Sequence, residues 1–312
     1  MVGLAPYEID LGTPAAETVD WLLATFGGFF DAVGDVLGSV VEALSDLLVA
    51  PAPIVVIIIL ALIPLLFRRR GIALFTVLAF VLVQQMGLWV ETMQSLAVVL
   101  VATFVAILIG LPLGVLAARR RTVSAVLRPI LDLMQTTPPF VYLIPAVFFF
   151  GVGLVPGVVA TAVFALAPAV RLTELGIRHV DQEVVEAAQA FGARPAQLLR
   201  DVQLPLALPS IMAGVNQVIM LGLSMVVVAG LAGAEGLGAV VTSAVTQLDI
   251  GAGFQGGLAV VILAIYLDRV TGALADPKSK WRWWRRKPAT ARATESAAPA
   301  PDEEARLVAP VR

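Results

Sequence analysis

Long apolar runs separated by short charged stretches dominate the pattern along the chain. A helix needs roughly 20 apolar residues to cross the hydrocarbon of a bilayer. Runs near this length occur at residues 47–67, 71–90, 92–118, 210–231 and 253–267. A longer run, 129–170, is divided by the turn-rich stretch 151–157 into spans near 138–151 and 156–171. The pattern predicts an all-α, polytopic membrane protein with about seven transmembrane helices.

The charged residues between these runs indicate the direction of the chain across the membrane. If the loops alternate sides, all 21 Lys and Arg residues fall on one side, in segments 68–70, 119–128, 171–200 and the tail from 269. Cytoplasmic loops carry an excess of Lys and Arg. We therefore expect a multi-pass protein of the bacterial cell membrane, with its N-terminus outside and its C-terminus in the cytoplasm.

The composition agrees with lipid as the solvent of much of the surface. Hydrophobic residues make up 59% of the 312 residues and charged residues 14%, against about 25% charged in a soluble domain. The net charge of −2 gives no indication of nucleic-acid binding. The chain has no Cys and a single His, His179, which excludes disulfides, thiolate catalysis and a histidine-rich metal centre. We expect no metal site and no cofactor bound by this chain.

The first 46 residues differ from the apolar runs that follow. Their acidic positions fall on a narrow face of a continuous helix: Glu17, Asp20, Asp31, Asp35, Glu42 and Asp46. We interpret residues 1–46 as an extracytoplasmic amphipathic segment, one helix or two helices broken at Gly27 and Gly28, on the outer leaflet. An acidic docking surface for an external partner is the alternative.

The last segment, residues 276–312, is predicted to be a basic and aromatic cytoplasmic tail. Residues 278–287 combine all three lysines of the chain with three of its five tryptophans. Such composition at a membrane edge is typical of an interfacial anchor, and the alternative is a regulatory contact with anionic lipid. The remainder of the tail is rich in Ala, Pro and Glu, and we expect it to be mostly disordered.

One predicted cytoplasmic loop, residues 172–209, contains the only histidine and a dense run of charges. Residues 182–191 have apolar positions at helical spacing, and Gly192 is suited to end this helix. Pro195 is suited to begin a second short helix, which we expect to end at Leu204-Pro205. Two short helices joined at a glycine favour either a docking lever or an ordered interhelical loop.

The same loop contains a spaced motif. Glu186-Ala187-Ala188 is followed by three residues and Gly192, then by nine residues and Val202-Gln203-Leu204-Pro205. This pattern resembles the EAA loop of ABC importer permeases, with Val202 in place of Ile. The resemblance implies that the chain couples to a separate ATPase through Glu186, Ala187, Ala188, Gly192, Val202, Leu204 and Pro205.

A wider resemblance covers roughly residues 50–275. Segments 131–145, 212–217 and 223–228 are similar to the permease subunit of glycine betaine/proline (compatible-solute) importers. The resemblance implies a type I ABC importer permease fold for a transmembrane domain at 47–275. It also implies a second permease copy as a homodimer, two cytoplasmic ABC ATPase subunits that use ATP and Mg, and an extracytoplasmic substrate-binding protein.

The chain lacks two features that the predicted ATPase and substrate-binding subunits would need. Because the lysines occur only at 278–287, the chain has no glycine-rich P-loop, so ATP hydrolysis belongs to a partner and the chain is not an enzyme. Tight recognition of a quaternary ammonium group uses an aromatic cage. The five tryptophans lie outside the predicted bilayer core. We therefore expect tight substrate binding on another subunit.

Polar residues inside the apolar runs are candidates for the translocation pathway. They are Gln135, Thr136, Thr137, Asn216, Gln217 and Ser224, with Met220 on the same predicted helix face as Asn216 and Ser224. Such residues line a wet pathway or hold helices together, and the sequence leaves both readings open. We expect Asp132 to pair with Arg128, one helical turn away.

The sequence is also compatible with other substrates and with other classes of membrane protein. The substrate of such a permease is alternatively another small amine or an amino acid. A secondary transporter or channel is a second alternative, although the absence of an internal repeat and of charges within the runs counts against it. A membrane osmosensor that uses the basic tail is a third.

Overall fold

The computed structural model describes residues 12–275, so the predicted tail and the first 11 residues lie outside the described range. The regular elements within this range are helices. They are α1 (Gly12–Val49), α2 (Pro53–Leu66), α3 (Arg70–Gln85), α4 (Trp89–Arg119), α5 (Arg121–Thr136), α6 (Pro139–Phe150), α7 (Leu154–Arg178), α8 (Gln182–Ala190), α9 (Pro195–Gln197), a π-helical turn (Leu198–Gln203), α10 (Leu204–Gly230), α11 (Leu237–Gln247) and α12 (Ile250–Ala275).

Between residues 12 and 275, four helices are long and apolar enough to cross a membrane: α4, α7, α12 and the continuous helix Pro195–Gly230. The pairs α1–α2 and α5–α6 meet the same criterion jointly but bend by 103° and 100°. By length and composition the described residues thus provide four candidate spans, or six if each bent pair is one span, beside the shorter apolar helices α3 and α11; the sequence pattern predicts about seven. The runs at 47–67 and 138–151 are shortened by prolines at 51, 53, 138 and 139, which leave α2 and α6 with only 14 and 12 residues.

Helices α4, α7 and α10 form a closely packed centre. A Cβ added at Gly114 of α4 would stand 2.6 Å from the Cβ of Thr173, and one added at Gly157 of α7 would stand 2.7 Å from the Cβ of Ala229. Small residues let helix backbones approach in this way, which replaces the missing hydrophobic driving force between helices in lipid. The pairings make α4 and α7 parallel and α10 antiparallel to both.

A second packing region joins α2, α3 and α12 to this centre. Phe80 of α3 is fully buried, and its ring meets those of Trp89 and Tyr266 edge-on at centroid distances of 6.4 and 5.2 Å. The hydroxyl of Tyr266 donates to the carbonyl of Leu60 at 3.1 Å, which ties α12 to α2.

Helix α1 is one continuous helix of 38 residues that passes Gly27 and Gly28 without a break. It extends to Val49, three residues beyond the predicted end of the N-terminal segment. Val41 is buried against α4 and α7, and the ring of Phe30 stacks on Phe149 of α6 at 4.6 Å. The rest of α1 is largely exposed, which agrees with an amphipathic helix. Its position relative to a membrane stays a prediction.

One end of the helix bundle carries a group of arginines. We call it the arginine end, and it comprises the C-terminal ends of α4, α7 and α12 and the N-terminal ends of α5 and α10. The arginines at these helix ends are Arg119, Arg121, Arg178 and Arg269, and Arg200 lies in the π-helical turn directly before α10. Two contacts bring the ends together: Arg178 with the carbonyl of Ala117, and Asn216 with Asp268.

Candidate functional site

The segment that carries the EAA-like motif lies at the arginine end. Helix α7 continues to Arg178 and α10 begins at Leu204, so the part between the long helices is shorter than the predicted loop 172–209. We call residues 181–205 the coupling segment. It contains α8, α9 and the π-helical turn.

Helix α8 has defined signals at both ends. The carboxylate of Asp181 accepts a hydrogen bond from the backbone N–H of Glu183 at 3.0 Å, an N-cap that the sequence analysis missed although Asp is a favoured residue there. At the other end Gly192 has φ +82, and the N–H of Ala193 donates to the carbonyl of Ala188 at 3.0 Å. The predicted helix and its terminating glycine are confirmed.

One side of α8 packs on the protein and the other is open. Val185 packs against a buried cluster that includes Ile177 and Ile211, from α7 and α10. Glu186 and Ala187 are exposed, and Phe191, directly after the helix, is 93% exposed. An exposed aromatic side chain beside small residues is typical of a surface that binds another protein.

The second half of the coupling segment contradicts the sequence prediction. The expected end at Leu204-Pro205 is wrong, because the chain continues as one helix from Pro195 to Gly230. The turn Leu198–Gln203 is π-helical, and the N–H of Leu204 donates to the carbonyl of Leu199. This wider turn shifts the hydrogen-bond register immediately before Pro205, where a proline would otherwise remove an α-helical bond.

The second half of the motif, from Val202 to Pro205, therefore lies on a helix that continues into the bundle. Val202 and Leu204 are half-buried, and Leu204 packs on the same cluster as Val185 of α8. Pro205 is exposed. The motif thus joins α8 to α10 through a continuous apolar contact.

A buried carboxylate that the sequence analysis missed lies next to this segment. Glu174 of α7 is 8% exposed. It accepts a hydrogen bond from Ser124 Oγ at 2.7 Å and lies 3.0 Å from Nε of Arg178. Arg178 also donates from Nη2 to the carbonyl of Ala117 at 2.8 Å. The available signal was a glutamate one helical turn before an arginine.

The expected pairing of Asp132 with Arg128 is wrong. Asp132 pairs with Arg171 of α7, and Nη2 of Arg128 lies 3.9 Å from Glu174. Because α5 packs along α7, Arg128 and Asp132 each face an opposite charge on the neighbouring helix. Pairing within one helix would have left the buried Glu174 with fewer partners.

The polar residues at 135–137 lie at the bend between α5 and α6. Gln135 and Thr136 are exposed and Thr137 is half-buried. The hydroxyls of Thr136 and Thr137 donate to the carbonyl of Leu133 at 3.1 and 2.8 Å. The three residues thus end α5 rather than begin a span.

The polar residues of α10 divide into two groups. Asn216 donates to Asp268 at 3.1 Å and accepts from the hydroxyl of Thr271 at 2.7 Å, so it holds α10 to α12. The other three pathway candidates on α10 are exposed: Gln217, Met220 and Ser224. In the part of the chain that the structure describes, no hydrogen bond or ion pair joins the α10 group to residues 135–137.

Comparison with known families identifies the class of this fold. Residues 110–278 match the family described as binding-protein-dependent transport system inner membrane component. The matched region contains the end of α4, the coupling segment, α10 and α12. The chain belongs to this family, whose members are membrane components of transport systems.

Three relatives are similar over most of their length. The chain is 50% identical to the glycine betaine transport system permease protein OpuAB of Bacillus subtilis, over 81% of this chain and 90% of that protein. It is 46% identical to the glycine betaine/carnitine transport permease protein GbuB of Listeria monocytogenes, over 83% and 95%. It is 45% identical to the glycine betaine/proline betaine transport system permease protein ProW of Escherichia coli, over 90% and 80%.

A solved structure supports the fold assignment. An inward-facing conformation of the MetNI methionine ABC transporter matches 62% of this chain and 96% of the solved chain, with a TM-score of 0.53 and 26% identity. A second crystal form matches with a TM-score of 0.52. The expected all-α ABC importer permease fold is confirmed.

Proposed function

We propose that the chain forms the translocation pathway of an ATP-driven importer for glycine betaine and related compatible solutes. The three relatives described above are permeases whose names specify glycine betaine, alone or with carnitine or proline betaine. Other family members are named for choline, taurine and trimethylamine N-oxide. A small amine or sulfonate other than betaine is therefore the second candidate substrate.

The exposed surface of α8 carries the coupling part of this proposal. Glu186, Ala187 and Phe191 face away from the bundle, while Val185 and Leu204 fasten the segment to it. A cytoplasmic ATPase subunit that binds ATP and Mg docks on this surface. When two such subunits close, the force on α8 reaches α7 and α10 together, because the same apolar cluster contains residues from both helices.

The exposed polar side chains supply the pathway. Five candidate residues are exposed in a single copy of the chain: Gln135 and Thr136 at the α5–α6 bend, and Gln217, Met220 and Ser224 on α10. Facing a second copy of the chain, they provide a neutral polar surface that a zwitterion crosses without tight binding. Thr137 borders this surface, and Asn216 acts in helix packing through its bonds to α12.

The assembly has a defined orientation. The arginine end faces the cytoplasm, in agreement with the excess of Lys and Arg in cytoplasmic loops. The opposite end, with α1 and the α10–α11 connection, meets an extracytoplasmic substrate-binding protein. Two copies of the chain and two ATPase subunits complete the importer.

Uptake in cells that lack their own osmolyte importers tests the substrate. The chain is expressed with its cognate ATPase and binding protein, and labelled glycine betaine is competed with proline betaine, carnitine, choline and taurine. We expect saturable uptake that unlabelled betaines reduce and taurine does not. Uptake of labelled taurine or choline with no uptake of betaine would reassign the substrate.

Cross-linking tests the docking surface separately. The chain contains no cysteine, so Phe191→Cys introduces a unique thiol. A short photoactivatable reagent on this thiol is expected to cross-link to the ATPase subunit. Ile250→Cys is the matched control, since Ile250 is 88% exposed at the other end of the bundle. Equal cross-linking yields to the ATPase from both positions would contradict the proposal.

A further inference from the structure

We propose that Glu174 is a positioning residue that transmits the displacement of α8 to α5 and to the polar bend that follows α5. This inference rests on the proposed function and adds the residue through which coupling reaches the pathway. Glu174 belongs to a charged cluster whose residues lie outside the EAA-like motif.

Glu174 has the partners that a buried charge requires. A carboxylate removed from water is retained only where hydrogen bonds and opposite charges compensate its lost hydration. Glu174 is 8% exposed, and its Oε1 is within 2.7 Å of Ser124 Oγ and 3.0 Å of Arg178 Nε. Ser124, itself 3% exposed, and the more distant Arg128 both belong to α5.

The last turn of α7 connects this carboxylate to the coupling segment. Arg178 ends α7, and Asp181 caps α8 only three residues further along the chain. Arg178 also binds the carbonyl of Ala117 near the end of α4. A displacement of α8 therefore acts on a helix end that is already fastened to the corner between α4 and α5.

Helix α5 extends the connection to the polar bend. It is a single helix of 16 residues, Arg121–Thr136, that connects Ser124 near its start to Thr136 at its end. Beyond it the chain turns by 100° into α6, and the hydroxyl of Tyr142 donates to the carbonyl of Met134 across this bend at 2.6 Å. A shift of α5 thus moves Gln135 and Thr136 with it.

The contact between α5 and α7 differs in kind from the contact between α4 and α7. The α4–α7 contact is a close approach of small residues such as Gly110 and Gly114, which cannot slide without clashes. The α5–α7 contact combines apolar packing of Leu131 on Ala167 and Val170 with the polar pairs of Glu174 and Arg171. These contacts hold α5 to α7, so α5 follows a displacement of the end of α7.

A coupling-ratio measurement tests the role of Glu174. The complete complex, with ATPase and binding protein, is reconstituted in proteoliposomes, and solute uptake per ATP hydrolysed is compared between wild type and Glu174→Gln. We expect this ratio to fall about tenfold while ATP hydrolysis continues. Glu91→Gln, a carboxylate-to-amide change at the opposite end of α4, is the matched control and leaves the ratio unchanged.

The outcomes that overturn the inference are distinct. An unchanged ratio in Glu174→Gln would do so, and so would a parallel loss of uptake and hydrolysis in an assembled complex. If Glu174→Gln fails to assemble, Ser124→Ala removes the α5 hydrogen bond and leaves the pair with Arg178. A failure of both variants to assemble would indicate that the cluster only stabilises the fold, which would also overturn the inference.

A distance measurement is independent of the substrate and so separates this inference from the proposed function. Spin labels at Gln189→Cys on α8 and Val126→Cys on α5 report the separation of the two helices by pulsed electron resonance. In wild type we expect the distance to stay constant when a non-hydrolysable ATP analogue binds the ATPase, because the helices move together. In Glu174→Gln we expect it to change. The same response in both proteins would overturn the inference even if betaine is not the substrate.

Discussion

Replacement of Gly192 by alanine tests how strictly the coupling segment depends on its backbone. Gly192 has φ +82, and a Cβ added there would meet nothing within 4 Å. The cost of the substitution is therefore conformational rather than steric, and it is about 1–2 kcal/mol for a residue with a Cβ. This shifts the population of the correctly ended α8 roughly 5- to 30-fold.

The expected result is a loss of coupling without a loss of the protein. The strain is relieved by unwinding the end of α8, where the N–H groups of Gly192 and Ala193 donate to Gln189 and Ala188. The apolar cluster beneath α8 is untouched, so the complex still assembles. Uptake per ATP hydrolysed in proteoliposomes is expected to fall by a factor within the range given above.

Two variants test whether the loss of coupling comes from backbone strain at Gly192. Gly192→Asn tolerates the left-handed region better than alanine and is expected to retain more of the wild-type ratio. Gly87→Ala imposes the same kind of strain in the α3–α4 connection, where φ is +74 and the space is also open. The reasoning is refuted if Gly192→Ala keeps the wild-type ratio, or if Gly87→Ala lowers it equally.

Further predictions concern packing and orientation. Gly114→Leu forces α4 from α7 and is expected to cost about 1–3 kcal/mol, seen as a lower midpoint of thermal unfolding in detergent. Asn216→Leu removes the bonds to α12 and is expected to cost about 1–3 kcal/mol in the same assay, and an unchanged midpoint would contradict the packing role. Asp132→Asn breaks an exposed pair and is expected to cost no more than about 1 kcal/mol. In intact cells a membrane-impermeant maleimide is expected to label Ile250→Cys, and Phe191→Cys only after permeabilisation; the reverse pattern would overturn the orientation.

The sequence predicted the parts of this fold that depend on local chemistry. Gly192 and Pro195 were recognisable because a glycine that ends a helix and a proline that begins one act through their own backbone. The long apolar runs likewise predicted α4, α7, α10 and α12, since each run is sufficient to form its helix. The family was recognisable from the spacing of the EAA-like motif.

The features that depended on neighbouring helices were not predictable in this way. The helix continues through Pro205 because the preceding π-helical turn, packed through Leu198 and Leu199, changes the hydrogen-bond register. Asp132 pairs outside its own helix because α5 lies along α7. The role of Glu174 depends on Ser124, which is 50 positions away in sequence.

The measurement that tests the central claim most directly is accumulation of labelled glycine betaine in proteoliposomes that contain the chain, its ATPase and the binding protein. The account predicts accumulation against a concentration gradient that requires ATP on the side of α8 and the binding protein on the opposite side. Accumulation that needs neither ATP nor the ATPase, and instead follows an imposed ion gradient, would contradict it and indicate a secondary transporter.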